Sequence, residues 1–330
     1  MATFKAYRIY NEDGKVQARL VDATLEELDQ GEVVIKAAYS SVNFKDALAA
    51  TGAGKIIRRF PCVGGIDVAG TVASSTDSRF RQGEGVLCTS YDFGVAHDGG
   101  YAEYVRVPAD WVVHLPSGLS AFDAMALGTA GFTAGLAVER MEHEGLKPGG
   151  GPVIVTGATG GVGSIAIDIL AGAGYEVTAL TGKEAESAYL KQLGAREVML
   201  RSALDLTKVK PLDKATWAGA VDNLGGDVLS WLASTMRVGG ALASIGLASS
   251  HVFNTTVMPF ILRGVSLLGI DSVNAPMPIR ERVWQRLATD LKPKHLEAMT
   301  STVRMEQLPQ VFDKLLKAQM RGRTVVAISR

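Results

Sequence analysis

The chain has 330 residues, enough for a large buried core and more readily divided into two domains than held as one. Its 34 basic and 34 acidic residues cancel, so no global field exists to hold a nucleic acid or an anionic membrane, and neither is expected as a main partner. Two cysteines, Cys62 and Cys88, lie outside any Cys-x-x-Cys or Cys/His cluster and exclude a disulfide framework. No apolar signal stretch opens the sequence and no run approaches the length that spans a bilayer, so a cytoplasmic protein is expected.

Up to Ser120 the pattern is short strands between turns, over 32–39, 67–73, 85–89 and 101–107. Turn signals stand at Asp13-Gly14, Gly64-Gly65 and Gly99-Gly100, which suits a compact β-barrel. Ser120 then precedes a helical run, with Asp123 three residues on as its capping partner. From Gly151 strands and helices alternate: strand 152–156, helix 161–173, strand 176–180, helix 183–193, strand 197–200, then strands 218–222, 241–245 and 265–270. Nearly continuous apolar strands in a β-α-β rhythm predict a parallel, doubly wound sheet buried on both faces. An amphipathic helix at 307–318 leads to a final strand at 324–328, which cannot stand alone and is expected to pair back into the N-terminal β-domain.

The strand 152–156 runs directly into Gly157-Ala158-Thr159-Gly160-Gly161-Val162-Gly163 and then a helix. Glycines at that junction permit a tight turn, close approach of backbone to a pyrophosphate, and close packing of helix on strand. The free N–H groups and positive end of the helix favour phosphate. At the end of the next strand an acidic residue would bind a ribose 2′-hydroxyl and repel a 2′-phosphate. Leu180-Thr181-Gly182-Lys183 stands there instead, a hydroxyl and a cation with no carboxylate before Glu184, so NADPH is the expected cofactor. Arg201, after the third strand, is a second 2′-phosphate or adenine candidate, with a plain surface arginine the competing reading.

The histidines show no metal-ligand spacing, and no Gly-x-Ser-x-Gly elbow is present. With a hydride carrier bound, a protein need only position a substrate, polarise it and supply a proton.

The chain resembles the medium-chain dehydrogenase/reductase superfamily over essentially its whole length. Where the zinc alcohol dehydrogenases carry a cysteine and a Gly-His-Glu, this sequence has Ser40-Ser41-Val42-Asn43-Phe44-Lys45-Asp46 and Gly65-Ile66-Asp67, a loss of zinc ligands. Asn43–Asp46, Gly54–Arg58, Gly128–Thr133, Trp217–Asp222, Thr256–Arg263, Gly269–Val273 and Gly322–Thr324 are similar to the acrylyl-CoA reductase group known as AcuI or YhdH. That resemblance implies a GroES-like catalytic domain at 1–122, completed by 297–330, around a Rossmann domain at 123–296. It also implies a homodimer and NADPH-dependent reduction of acryloyl-CoA to propanoyl-CoA. An NADPH:quinone or alkenal reductase, and a redox-silent NADPH-binding protein, are the alternatives.

Carried over by position, the resemblance implies cofactor contacts at Thr159, Gly160, Gly161 and Val162 for the pyrophosphate. Thr181, Gly182, Lys183 and Arg201 would surround the 2′-phosphate, and Leu247 and Ser272 the nicotinamide half. Arg323, Thr129, Thr133 and Phe44 are further cofactor neighbours, with Phe44 lacking the hydroxyl of the tyrosine common there. Asn43 and Asp46 are the catalytic candidates, against a turn asparagine and a helix cap as the plainer readings. Tyr91 and Tyr101 are further proton-donor candidates, against barrel packing. Arg58 and Arg59, beside Lys55, form a basic patch for the phosphates of an acyl-CoA thioester, against a solvated charge run.

Overall fold

The computed structural model describes residues 3–328 and divides into two compact units. The first comprises Met1–Thr129, Val273–Glu281 and Leu296–Arg330, and the second Ala130–Ser272 and Arg282–His295. Residues 123–129 and 273–281, assigned from sequence to the nucleotide domain, thus lie with the β-rich unit.

The first unit is β-rich. Phe4–Glu12 and Lys15–Ala23 form an antiparallel hairpin whose turn, Asp13-Gly14, takes positive φ at both residues, as a two-residue hairpin turn demands. Val33–Ser41 is the pivot of the larger sheet, pairing with Asp67–Ser75, Tyr104–Val107 and the C-terminal strand Arg323–Ala327. The return of the last strand is as expected: Val325 lies opposite Ser41, and Val326 opposite Ser40. Thr300–Arg304 pairs parallel on its outer side. The expected strand 101–107 is shorter, because Tyr101 instead turns its backbone to Tyr7 and Gly64. Both cysteines are fully buried in this unit, and burial pushes each thiol up to about 12.

The second unit is the doubly wound sheet. Its six strands are all parallel, in the order Glu197–Leu200, Val177–Thr181, Val153–Thr156, Trp217–Asp222, Met236–Ser244 and Ser266–Gly269. In chain order within the unit that is third, second, first, fourth, fifth, sixth, the arrangement that leaves a crevice beside the first strand for a dinucleotide. The helix Gly161–Gly172 buries Ile165, Ile167, Ile169 and Leu170. The expected helix 183–193 is a 3₁₀ turn, Glu184–Glu186, followed by the short α-helix Ser187–Gln192.

Ala121–His143 amends one expectation. By length and apolar composition it could cross a bilayer, yet 78% of its most apolar stretch is buried inside the protein, as in a core helix. It is also broken. Gly128 sits at φ 53°, ψ −156°, so two helical segments meet there and the backbone of residues 126–129 is freed from the regular ladder.

Arg323 uses that break. Its side chain is buried; Nε donates to Ala126 O at 2.9 Å, Nη1 to Val42 O at 3.1 Å and Asn43 Oδ1 at 3.3 Å, and Nη2 to Ser41 Oγ at 2.9 Å. One side chain therefore ties the last strand to the end of the pivot strand and to the broken helix. Replacing Arg323 by alanine leaves four acceptors, three of them on buried residues, without this donor and should cost about 3–5 kcal/mol, the range for removing one partner from a buried charged network. Urea unfolding measures it, and a loss below about 1 kcal/mol would show that the acceptors find other donors.

Candidate active site

Two clusters stand out, one in each unit. In the first, the centre is Asp67, the first residue of its strand and fully buried. Its Oδ2 accepts from Ser41 Oγ at 2.5 Å, Asn43 Nδ2 at 2.7 Å and the Thr129 backbone N–H at 3.0 Å; Oδ1 accepts from Thr129 Oγ1 at 2.6 Å. Gly128 is where this cluster closes. A Cβ there would stand 2.6 Å from Asp67 Oδ2, 2.7 Å from Ser41 Oγ and 2.8 Å from Arg323 Nη2, in a backbone conformation that L side chains rarely adopt. Only glycine lets the helix break at this point and turn the Thr129 N–H onto the carboxyl.

Asn43 and Asp46 act inside this frame. Asn43 is the N-cap of the helix Phe44–Thr51, and its own N–H donates to Asp46 Oδ2 at 2.8 Å, half of a capping box. Its amide is committed at both ends, Nδ2 to Asp67 and Oδ1 to Arg323. Asp46 Oδ1 accepts from Ile66 N at 3.0 Å, so this carboxyl joins the helix start to the segment before Asp67. Burial first, and the neighbouring Asp67 second, push Asp46 up from 3.8 to about 7, against the two backbone N–H bonds that favour its charge. Tyr101 is likewise committed, donating its hydroxyl to Ser41 O at 3.0 Å.

In the second unit, Gly160 caps the helix that starts at Gly161, and the free N–H groups of its first turn follow directly on the strand Val153–Thr156. A Cβ on Gly163 would stand 2.5 Å from Gly157 O, so helix and turn can approach this closely only through glycine. Beneath them Asn223 Nδ2 donates to Thr156 O at 2.7 Å and Thr156 Oγ1 to Asp222 Oδ1 at 2.7 Å, bracing the turn on the fourth strand. A cavity of about 230 Å³ opens beside it, lined by Gly157, Thr159, Leu180, Thr181, Gly182, Lys183, Arg201 and Leu224. No carboxylate lines it. Thr181 Oγ1 accepts the Lys183 N–H at 3.0 Å, fixing the backbone that carries the lysine. This is the setting a nucleotide with a 2′-phosphate requires: free helix N–H groups for the pyrophosphate and two cations for the single 2′-phosphate.

The remaining expected residues take the following places. Leu247 is exposed in the loop after Met236–Ser244, Ser272 follows Ser266–Gly269, and Thr133 is buried along its helix. Phe44 is exposed at the first position of its helix. Thr129 and Arg323, expected beside the cofactor, have hydrogen bonds within the Asp67 cluster. Arg58 pairs with Asp92 and Arg59 with Asp29, so the patch read from sequence is already partnered by carboxylates, and a phosphate there would have to displace them. The sequence reading missed Asp67, Ser41 and Gly128. The signal was present in Asp67, a lone acid in the apolar run Ile66–Ala69, because a buried carboxyl must be partnered. Among the described residues no group of three or more His, Cys, Asp or Glu side chains is placed to hold a metal.

The raised Asp46 makes stability depend on pH in a definite direction. Below about pH 4 the carboxyl is protonated in both states; between 3.8 and about 7 the unfolded chain ionises it while the folded protein resists. The stability owed to Asp46 is therefore full at low pH and falls as pH rises through 7. The difference in unfolding free energy between wild type and Asp46→Ala should shrink from pH 4 to pH 8 in a urea series. A difference constant over that range would contradict it.

The alcohol dehydrogenase GroES-like domain family matches residues 29–117, and the zinc-binding dehydrogenase family matches residues 161–289. The chain is 47% identical over 318 residues to the acrylyl-CoA reductase AcuI of Ruegeria pomeroyi, covering 96% of each. The YhdH oxidoreductase of Salmonella enterica, solved in complex with NADP, superposes with a TM-score of 0.96 at 45% identity, over 98% of this chain and 100% of that one. The YhfP protein of Bacillus subtilis, solved with NAD bound, superposes with a TM-score of 0.97 at 46% identity, over 99% of this chain and 100% of that one. YhfP carries the provisional name of quinone oxidoreductase. The chain is an oxidoreductase of the medium-chain dehydrogenase/reductase superfamily and belongs to its quinone oxidoreductase-like branch with AcuI and YhdH.

Proposed function

We propose that this oxidoreductase uses NADPH to reduce the carbon–carbon double bond of acryloyl-CoA, giving propanoyl-CoA without a metal. The observation that carries the cofactor is the pairing of Lys183 and Arg201 on one cavity that no carboxylate lines. The substrate is supported by the 47% identity to an acrylyl-CoA reductase along 96% of both chains. When bound, NADPH supplies the hydride. The N–H groups that follow Gly160 hold its pyrophosphate, Thr159 closes over it, and Lys183 and Arg201 neutralise the 2′-phosphate. Asn43 and Asp46 serve by position, the first fixing the Ser41–Asp67–Arg323 frame and the second the start of the helix beside it. An acyl-CoA thioester as substrate and assembly as a cytoplasmic homodimer belong to the same reading.

A second reading, reduction of quinones or alkenals, is favoured by the name given to YhfP. A panel of acryloyl-CoA, crotonyl-CoA, free enones and quinones, followed by NADPH oxidation, separates them. Acryloyl-CoA should give the highest kcat/KM. Preference for quinones would sink the first reading, and silence on every acceptor despite tight NADPH binding would leave a binding protein.

The 2′-phosphate site gives its own outcome. Lys183→Ala and Arg201→Ala should each weaken NADPH binding by about 10-fold, the loss of one charge-assisted contact of roughly 1.5 kcal/mol, and leave NADH binding nearly unchanged. Titration by nicotinamide fluorescence reads both, and equal losses on the two nucleotides would place the cations elsewhere.

A further inference from the structure

Reduction of a conjugated double bond needs a proton on the carbon next to the carbonyl as well as a hydride. We propose that Tyr91 is the acid that delivers this proton and that Arg280 holds the phenolate left behind. The inference rests on the reading of the chain as an enoyl-thioester reductase.

The backbone draws attention to the place. Ser90 and Tyr91 follow the strand Gly85–Thr89 with φ of 71° and 52°, two successive non-glycine residues in the left-handed region. Such residues are strained and persist where the surroundings over-determine them, often at functional sites. This bend seats the Ser90 hydroxyl inside, 3.3 Å from Thr129 Oγ1 and so one step from Asp67. It also lays the Tyr91 ring flat against Trp111, with centroids 5.3 Å apart and planes 6° from parallel.

Arg280 completes the arrangement. It is fully buried, and Nη1 donates to Thr89 O at 3.2 Å and Thr89 Oγ1 at 3.1 Å, while Nη2 donates to Val273 O at 3.2 Å. These bonds leave the guanidinium little freedom to turn. Its Nε donates to the Tyr91 hydroxyl oxygen at 3.1 Å, and Cζ stands 4.4 Å from the ring centroid. Arginine has no acceptor, so in this bond the phenol oxygen can only accept, and its own proton remains to be given to something else. Tyr91 is partly exposed, whereas Tyr101 is 1% exposed and already donates to Ser41 O. Of the two candidate phenols, Tyr91 is the one that is partly exposed and whose hydroxyl donates to no group among the described residues.

The step balances without another co-reactant. Once hydride has added at the β-carbon, the electron pair of the double bond lies in an enolate. The α-carbon takes the proton of Tyr91, forming a C–H bond from that pair as the O–H bond breaks. Negative charge stays on the phenolate oxygen, facing the Nε–H of Arg280, which offsets it at the ring as well as at the oxygen. Water then returns the proton.

The test is Tyr91→Phe, which keeps the ring on Trp111 and removes one oxygen. Turnover of acryloyl-CoA should fall by about 100-fold or more, the scale of a lost general acid. The NADPH dissociation constant, read by fluorescence titration, should stay within twofold and so report an intact fold. Stereochemistry separates chemistry from packing. In D₂O the wild-type enzyme should make propanoyl-CoA deuterated at the α-carbon in one configuration, and the residual product of Tyr91→Phe should carry both, because bulk water then protonates either face. A variant that keeps its rate and its single configuration overturns Tyr91 while leaving the reductase reading intact. A wild-type enzyme that reduces no enoyl thioester overturns that reading and the proposal with it.

Discussion

A carboxyl group taken wholly out of water governs the first unit. Asp67 is tolerable only because four donors meet it, and those donors come from two separate parts of the chain: Ser41 and Asn43 at the end of the pivot strand and just beyond it, and the backbone and hydroxyl of Thr129 after the break in the long helix. Burial without them would cost several kcal/mol. The cluster therefore acts as a closure condition on the fold. The pivot strand must end at Ser41, the helix must break at Gly128, and the last strand must bring Arg323 back to Ser41. Each condition is met by a residue whose chemistry admits few substitutes. Glycine supplies the break, arginine spans four acceptors, and the aspartate carboxyl accepts four hydrogen bonds on its two oxygens.

The second unit is organised on a different economy. Its site is made of backbone: glycine permits the turn at 157–163, helix N–H groups wait for phosphate, and only Lys183 and Arg201 add side-chain charge. Such a site is local in sequence, so it can be read from sequence. The turn, the missing acid after Leu180 and the cations stood within one βαβ stretch and one strand beyond. The observed sheet order and the cavity agree with that reading.

The Asp67 cluster is the opposite case. The bond from Arg323 to Ser41 spans 282 positions, and no spacing rule connects them. Arg323 was expected beside the cofactor from its position, and its hydrogen bonds to Ala126, Val42, Asn43 and Ser41 were not legible from it. Arg58 and Arg59 looked like an open basic patch, yet their partners Asp92 and Asp29 lie more than a turn or a helix away in sequence. The short helix at Phe44 was hidden because eight residues carry too little periodicity, although Asn43 and Asp46 form its capping box. Strand pairing fared better. A lone terminal strand has to find a sheet, and the pivot strand was the partner available.

The two cysteines, unremarkable as packing, bear on the proposed substrate. An α,β-unsaturated thioester is an electrophile, and the groups it consumes most readily in proteins are thiolates. This chain has two thiols in all; both are fully buried, and the low polarity around them keeps them protonated to about pH 12. A protein arranged in this way offers the proposed enoyl thioester no nucleophilic sulfur.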